Sequence, residues 1–106
     1  MANYLVTASY SPEGVKGVLK NGGTARVDAV SKAVQGLGGK MHSFHFAFGQ
    51  EDVYVVFDMP DNTAASALGL AVGATGLVGI KTVVLLTPAE IDDAAKLQVD
   101  YKAPGK

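Results

Sequence analysis

The stretch HSFHFAFGQEDVYVVFDMPD, His42 to Asp61, carries the side chains best suited to chemistry. An imidazole titrates near neutrality, so His45 is a candidate general base. Asp58 could orient it or hold the imidazolium, and Tyr54 could donate to an oxyanion. Ser43 adds a hydroxyl. Whether these groups meet depends on how two short strands pair. With Gln50 and Glu51 as the two turn residues of a hairpin, Gly49 faces Asp52 and Phe48 faces Val53. One face then collects His42, Phe44, Phe46 and Phe48 with Val53, Val55, Phe57 and Met59. The other collects Met41, Ser43, His45 and Ala47 with Tyr54, Val56 and Asp58. A one-residue slip would set polar beside apolar on both faces. In this register Ser43 lies opposite Asp58, and His45 is diagonal to both Tyr54 and Asp58.

The phenylalanine face is expected to pack on helices. The face of Ser43, His45, Tyr54 and Asp58 is the candidate ligand-binding site, with His45, Tyr54 and Asp58 as its catalytic candidates. His42 and His45 are an odd number apart and point to opposite faces, so they cannot share a metal on one of them. His42 reads as a shield at the core edge. Glu51 and Asp52 are expected to be exposed at the hairpin tip, and no metal site is expected.

Flanking elements must position this hairpin. Asn3–Tyr10 alternates as a strand, which brings either Tyr4 and Tyr10 or Thr7 and Ser9 to the candidate face. Ser11, Pro12 and Glu13 start a helix, as cap, first helical residue and dipole partner. Asn21–Gly23 interrupts it, and it resumes from Thr24 with apolar residues at three- and four-residue spacings up to Leu37. Gly38–Gly39 ends it. Strands follow over Lys40–Phe48 and Asp52–Met59. Asp61 caps a helix over Asn62–Thr75, and a fourth strand spans Val78–Leu86. Thr87, Pro88 and Glu90 open a last helix with a capping box. The order β-α-β-β-α-β is the ferredoxin-like split pattern, an α+β fold with a four-stranded antiparallel sheet. Its helices cover one side of the sheet only. The fourth strand is apolar on both faces, which argues that the second side is covered too.

The 106 residues fit one domain, read as residues 1–97 with a polar tail over 98–106, loose or docked on a partner. A chain this short leaves much surface uncovered, so self-association would add burial. At a net charge of −1, with no basic run, nothing steers the chain to nucleic acid or an anionic membrane. The absence of cysteine removes disulfides, thiolate nucleophiles and cysteine metal ligands, which suits a cytoplasmic setting. The N-terminal MANYLVTASYSPEG has neither the charge nor the apolar core of a signal peptide. The longest apolar region, TAASALGLAVGATGLVGI, is broken by glycines and reads as a helix and then a strand, not a membrane span. The glycines of GLGGK end a helix, the reverse of a phosphate-binding loop. Glu90, Asp92 and Asp93 form a solvated acidic surface. No cofactor is expected.

GQEDVYVVFDMPD, preceded by GLGGKMHSFHFAFG and followed by AASALGLAVGATGLVGIKTVVLLTPAEI, resembles the GYD domain family, small bacterial and archaeal proteins similar to the dimeric α/β-barrel group. The resemblance covers roughly Asn3 to Ile91. Of the motif Gly-x-Tyr-Asp followed by an apolar strand and Pro-Asp, the chain keeps Gly49, Asp52, Pro60 and Asp61. Glu51 stands at the tyrosine position, so no role of that tyrosine carries over. The resemblance implies a homodimer, or a ring of dimers, in which two sheet faces enclose a cavity. Three functional readings stay open: a small-molecule-binding protein, a cofactor-independent isomerase or oxygenase of a small aromatic compound with His45 as base, and a purely structural oligomer.

Overall fold

The computed structural model describes all of residues 1–106. Its elements are β1 (Ala2–Tyr10), α1 (Pro12–Asn21), α2 (Gly23–Gly36), β2 (Lys40–Phe46), β3 (Val53–Met59), α3 (Asn62–Gly73), β4 (Val78–Leu85) and α4 (Pro88–Ala95). The four strands form one antiparallel sheet in the order β2-β3-β1-β4, the α+β arrangement expected. Each helix-start signal in the sequence is used. The Ser11 hydroxyl accepts from the Gly14 N–H at 3.1 Å, and Asp61 Oδ1 accepts from the Ala64 N–H at 2.9 Å. Thr87 and Glu90 form a reciprocal capping box. The break between α1 and α2 falls at Gly22, whose φ of +83° glycine adopts at little steric cost.

Alternation along the central strands builds the core. Tyr4, Val6 and Ala8 of β1 and Val53, Val55, Phe57 and Met59 of β3 are buried against Val34 of α2 and Ala65 and Leu68 of α3. Each valine, leucine, methionine or phenylalanine among them contributes about 1.5–3 kcal/mol on burial. Tyr4 stacks on Phe57 at 5.8 Å, and its hydroxyl donates to Asn62 Oδ1 at 2.6 Å, so its polar end is satisfied inside the core. Tyr4 thus belongs to the helix side, and it is Thr7 and Ser9 that share the opposite side of the sheet. That side has no helix on it. Only 11 of the 106 residues are buried, and none of them lies on that side of the sheet or beyond Leu68.

The β2–β3 hairpin departs from the expected register in two ways. Phe46, not Phe48, pairs with Val53, a shift of two residues. The connection runs from Ala47 to Asp52, closed by the Ala47 N–H donating to the Asp52 carbonyl at 2.9 Å. A two-residue hairpin turn of the favoured kinds needs positive φ at its first central residue or at both, and no non-glycine residue in the chain has one. Asp52 is also drawn onto β1. Its N–H donates to the Ala8 carbonyl at 2.8 Å, and its carboxylate accepts from the Tyr10 N–H at 2.8 Å. The ladder therefore closes early and Phe48 rides out fully exposed in the loop, outside the core assigned to it. Phe46 is half-exposed, packing on Phe44 at 5.3 Å. A shift by two preserves which side each residue faces.

The second departure changes faces. A bulge between Met41 and Ser43 makes His42 the extra residue. Met41 now sits opposite Phe57 and packs on the core, and His42 leaves the core edge for the side of Asp58. The odd spacing of His42 and His45 no longer separates them to opposite faces. Just before the bulge, a Cβ on Gly39 would collide with the Asp58 carbonyl, so β2 enters the sheet at a distance only glycine allows.

Candidate functional site

The bare side of the sheet is built from rows that cross all four strands. Leu5 of β1 pairs with Val56 and Val83, and Val56 pairs with Ser43, giving an apolar row ended by a hydroxyl. On one flank lies a polar row: His45 opposite Tyr54, Tyr54 opposite Thr7, and Thr7 opposite Lys81. On the other flank Asp58 pairs with Asn3, and Asn3 with Leu85. Tyr54 and Val83 are 40% and 48% exposed, a large apolar area for a strand interior to leave in water. Neighbouring strands lie about 4.8 Å apart and same-side residues about 6.8 Å apart along a strand, so the polar row is a line of donors and acceptors beside a greasy band.

All four residues named from the sequence, Ser43, His45, Tyr54 and Asp58, share this side. They do not converge. Ser43 faces Val56, not Asp58, and His45 lies directly opposite Tyr54. Asp58 is four residues from Tyr54 along β3, about 13 Å, with Val56 between them. Its carboxylate is already engaged. Oδ1 accepts from the Lys40 N–H at 3.0 Å, and Oδ2 lies 3.1 Å from His42 Nε2. The imidazole–carboxylate pair of this protein is therefore His42–Asp58, at the rim, and His45 faces Tyr54 without a carboxylate of its own.

A second polar cluster went unread in the sequence. Glu51 folds from the hairpin loop back over the sheet. Its Oε2 accepts from the Ser9 hydroxyl at 2.8 Å, and its Oε1 from the Lys81 ammonium at 3.0 Å. The Glu51 side chain is only 13% exposed, where exposure at a hairpin tip was expected. The Lys81 hydrogen bond, and after it the Ser9 hydroxyl, hold its carboxyl below the ordinary value of 4.5, so it is a fixed anion rather than a base. The signal for this cluster was present. Lys81 is the one charge in the greasy strand VGIKTVVL, with the parity of Val83 and Leu85. No group of three or more metal-ligating side chains is brought together. No helix is long and apolar enough to cross a membrane.

The arrangement can do two things. The apolar row can be buried against another apolar surface, and the row His45–Tyr54–Thr7–Lys81 can hydrogen-bond a polar group placed over it. Comparison with known proteins gives one match, a family model described as GYD domain over residues 4–95. Nothing matches among curated proteins, and nothing among solved structures.

Proposed function

The chain belongs to the GYD domain family, and on that premise we propose that two copies pack their bare sheet sides together and hold a small molecule between them. One observation carries this reading: a sheet side with an apolar band, Leu5–Val56–Val83, opposite the side on which the chain's helices pack and left half-exposed at Val83. The polar row beside the band gives a bound molecule a few fixed partners in an otherwise apolar wall, the usual composition of a ligand pocket.

The C-terminal arm supports a second copy. Every residue from Leu86 to Lys106 is exposed, including Ile91, Leu97, Val99 and Tyr101. An eight-residue helix such as α4 is too short to be stable by itself in water, even with its capping box. The radius of gyration is 17.0 Å, against about 13 Å for a compact chain of this length, in keeping with an arm reaching outward. The sheet side spans roughly 19 by 23 Å, about 440 Å². A stable interface buries about 800 Å² per partner. The arm is the part of the chain able to supply the difference.

The ligand reading is tested by extracting small molecules from purified protein and comparing wild type with His45→Ala and Tyr54→Ala by mass spectrometry. The expected result is a compound held in stoichiometric amount by wild type and lost from both variants while the oligomer persists. No compound in the wild-type extract would remove the ligand and leave a purely structural oligomer, and a compound held equally by all three proteins would place it away from His45 and Tyr54.

A further inference from the structure

The helix side of the sheet, remote from the face just described, has an opening of its own. A groove of about 390 Å³ runs between α1, α2 and α3, with Tyr10, Val18, Leu68, Val72 and Leu77 among its walls. That volume is within the range of small-molecule sites. It continues into a crevice of about 50 Å³ between the helices and the sheet, reaching the core at Val6, Val53 and Phe57. Arg26 of α2 lines both, at their junction. Its Nε is buried with no hydrogen-bond partner, and Arg26 is in none of the chain's ion pairs. A guanidinium donor shut away from water without a partner is costly. The acid at this groove, Glu13, is already paired with Lys16 at 3.1 Å, both side chains being well exposed.

The groove is kept open by residues without side chains. Two glycines of α1 line it. Gly14 lies tight under the Leu77 carbonyl, where a Cβ would collide. Gly17 has nothing within 4 Å of where its Cβ would be, so its missing side chain leaves space rather than permitting contact.

We propose that this groove binds an amphipathic carboxylate, with the carboxylate on the Arg26 guanidinium and an acyl or aryl tail along the apolar walls of the groove. Arginine suits the head group because its planar fork meets both oxygens of a carboxylate. The apolar walls suit the tail. The site needs no second copy, so it stands apart from the cavity proposed between sheet faces.

Octanoate is the probe, titrated into the isotopically labelled full chain and followed by amide resonances. Saturable shifts are expected at Gly17, Arg26 and Val72. Arg26→Gln should weaken binding at least tenfold. Gly17→Leu, which fills the groove from a position with free space, should abolish binding with the spectrum otherwise native. Octan-1-ol, the same tail without the charge, should bind at least tenfold more weakly than octanoate. The proposal is overturned by the absence of saturable shifts at these residues up to about 5 mM octanoate. It is equally overturned by shifts confined to Tyr54 and Val83 on the sheet face, or by equal octanoate affinity in wild type and Arg26→Gln. Should Gly17→Leu fail to fold, the Arg26→Gln and octan-1-ol comparisons decide.

Discussion

Replacing Val83 by aspartate should break the assembly and leave the protomer folded. Val83 is 48% exposed on the bare sheet side, on the edge strand β4 opposite Leu5. Fully burying a valine is worth about 1.5–3 kcal/mol, so covering the exposed half is worth about 1 kcal/mol per copy and about 2 kcal/mol per dimer. Aspartate is too short to reach water from a closed interface, and an unpaired carboxylate there costs several kcal/mol more. Taking about 4 kcal/mol as the total, the dimer dissociation constant should rise roughly a thousandfold. Sedimentation velocity over a concentration series reads this directly, with circular dichroism confirming the fold. Leu70→Asp is the control. Leu70 is 75% exposed on α3, on the helix side, and its replacement should shift the constant less than about twofold. A well-folded Val83→Asp protein that dimerises within tenfold of wild type would refute the assignment of this side as the interface.

Three further outcomes follow from individual contacts. Because Lys81 and Ser9 depress the Glu51 pKa in the folded state, the stabilisation is fully present above 4.5 and is lost as pH falls through the lower folded value. Wild type should therefore exceed Glu51→Gln in urea midpoint at pH 7, with the gap closing on acidification; a gap independent of pH contradicts this. Asp58→Ala removes the acceptor for the Lys40 N–H and His42, and should cost about 1–2 kcal/mol in urea unfolding, while His45→Ala stays within about 0.5 kcal/mol. Truncation after Leu86 removes only exposed residues, so the monomer's thermal midpoint should hold while dimer affinity falls; an unfolded monomer would show that the arm packs on its own chain.

Much of this was legible in the sequence because the rules involved are local. Ser11, Asp61 and Thr87 cap the helices that follow them, since a side chain three residues from its donor has few alternatives. The sidedness of Val53–Met59 survived a wrong turn because the error was two residues, which leaves parity untouched. What the local rules missed was decided by partners distant in sequence. Asp52 closes the hairpin early by binding β1 at Ala8 and Tyr10, more than forty residues away, and so expels Phe48. The bulge at His42 flips Met41 and moves the histidine–aspartate pair from His45 to His42. No spacing rule announces one extra residue in a strand.

Glu51 has a structural use that its place in the hairpin loop does not announce. It reaches over β1 to bind Ser9 and Lys81, tying the hairpin loop to the inner strand β1 and the edge strand β4 on the candidate face. It also neutralises Lys81, which lowers the charge that a second copy would have to bury.

Native mass spectrometry of the full chain, purified without denaturation and sprayed under gentle conditions, tests the central claim most directly. An even-numbered assembly of the 10.9 kDa chain carrying additional small-molecule mass is expected. A monomer at every concentration would contradict it, because the bare sheet side would then have nothing to cover it and no cavity to form.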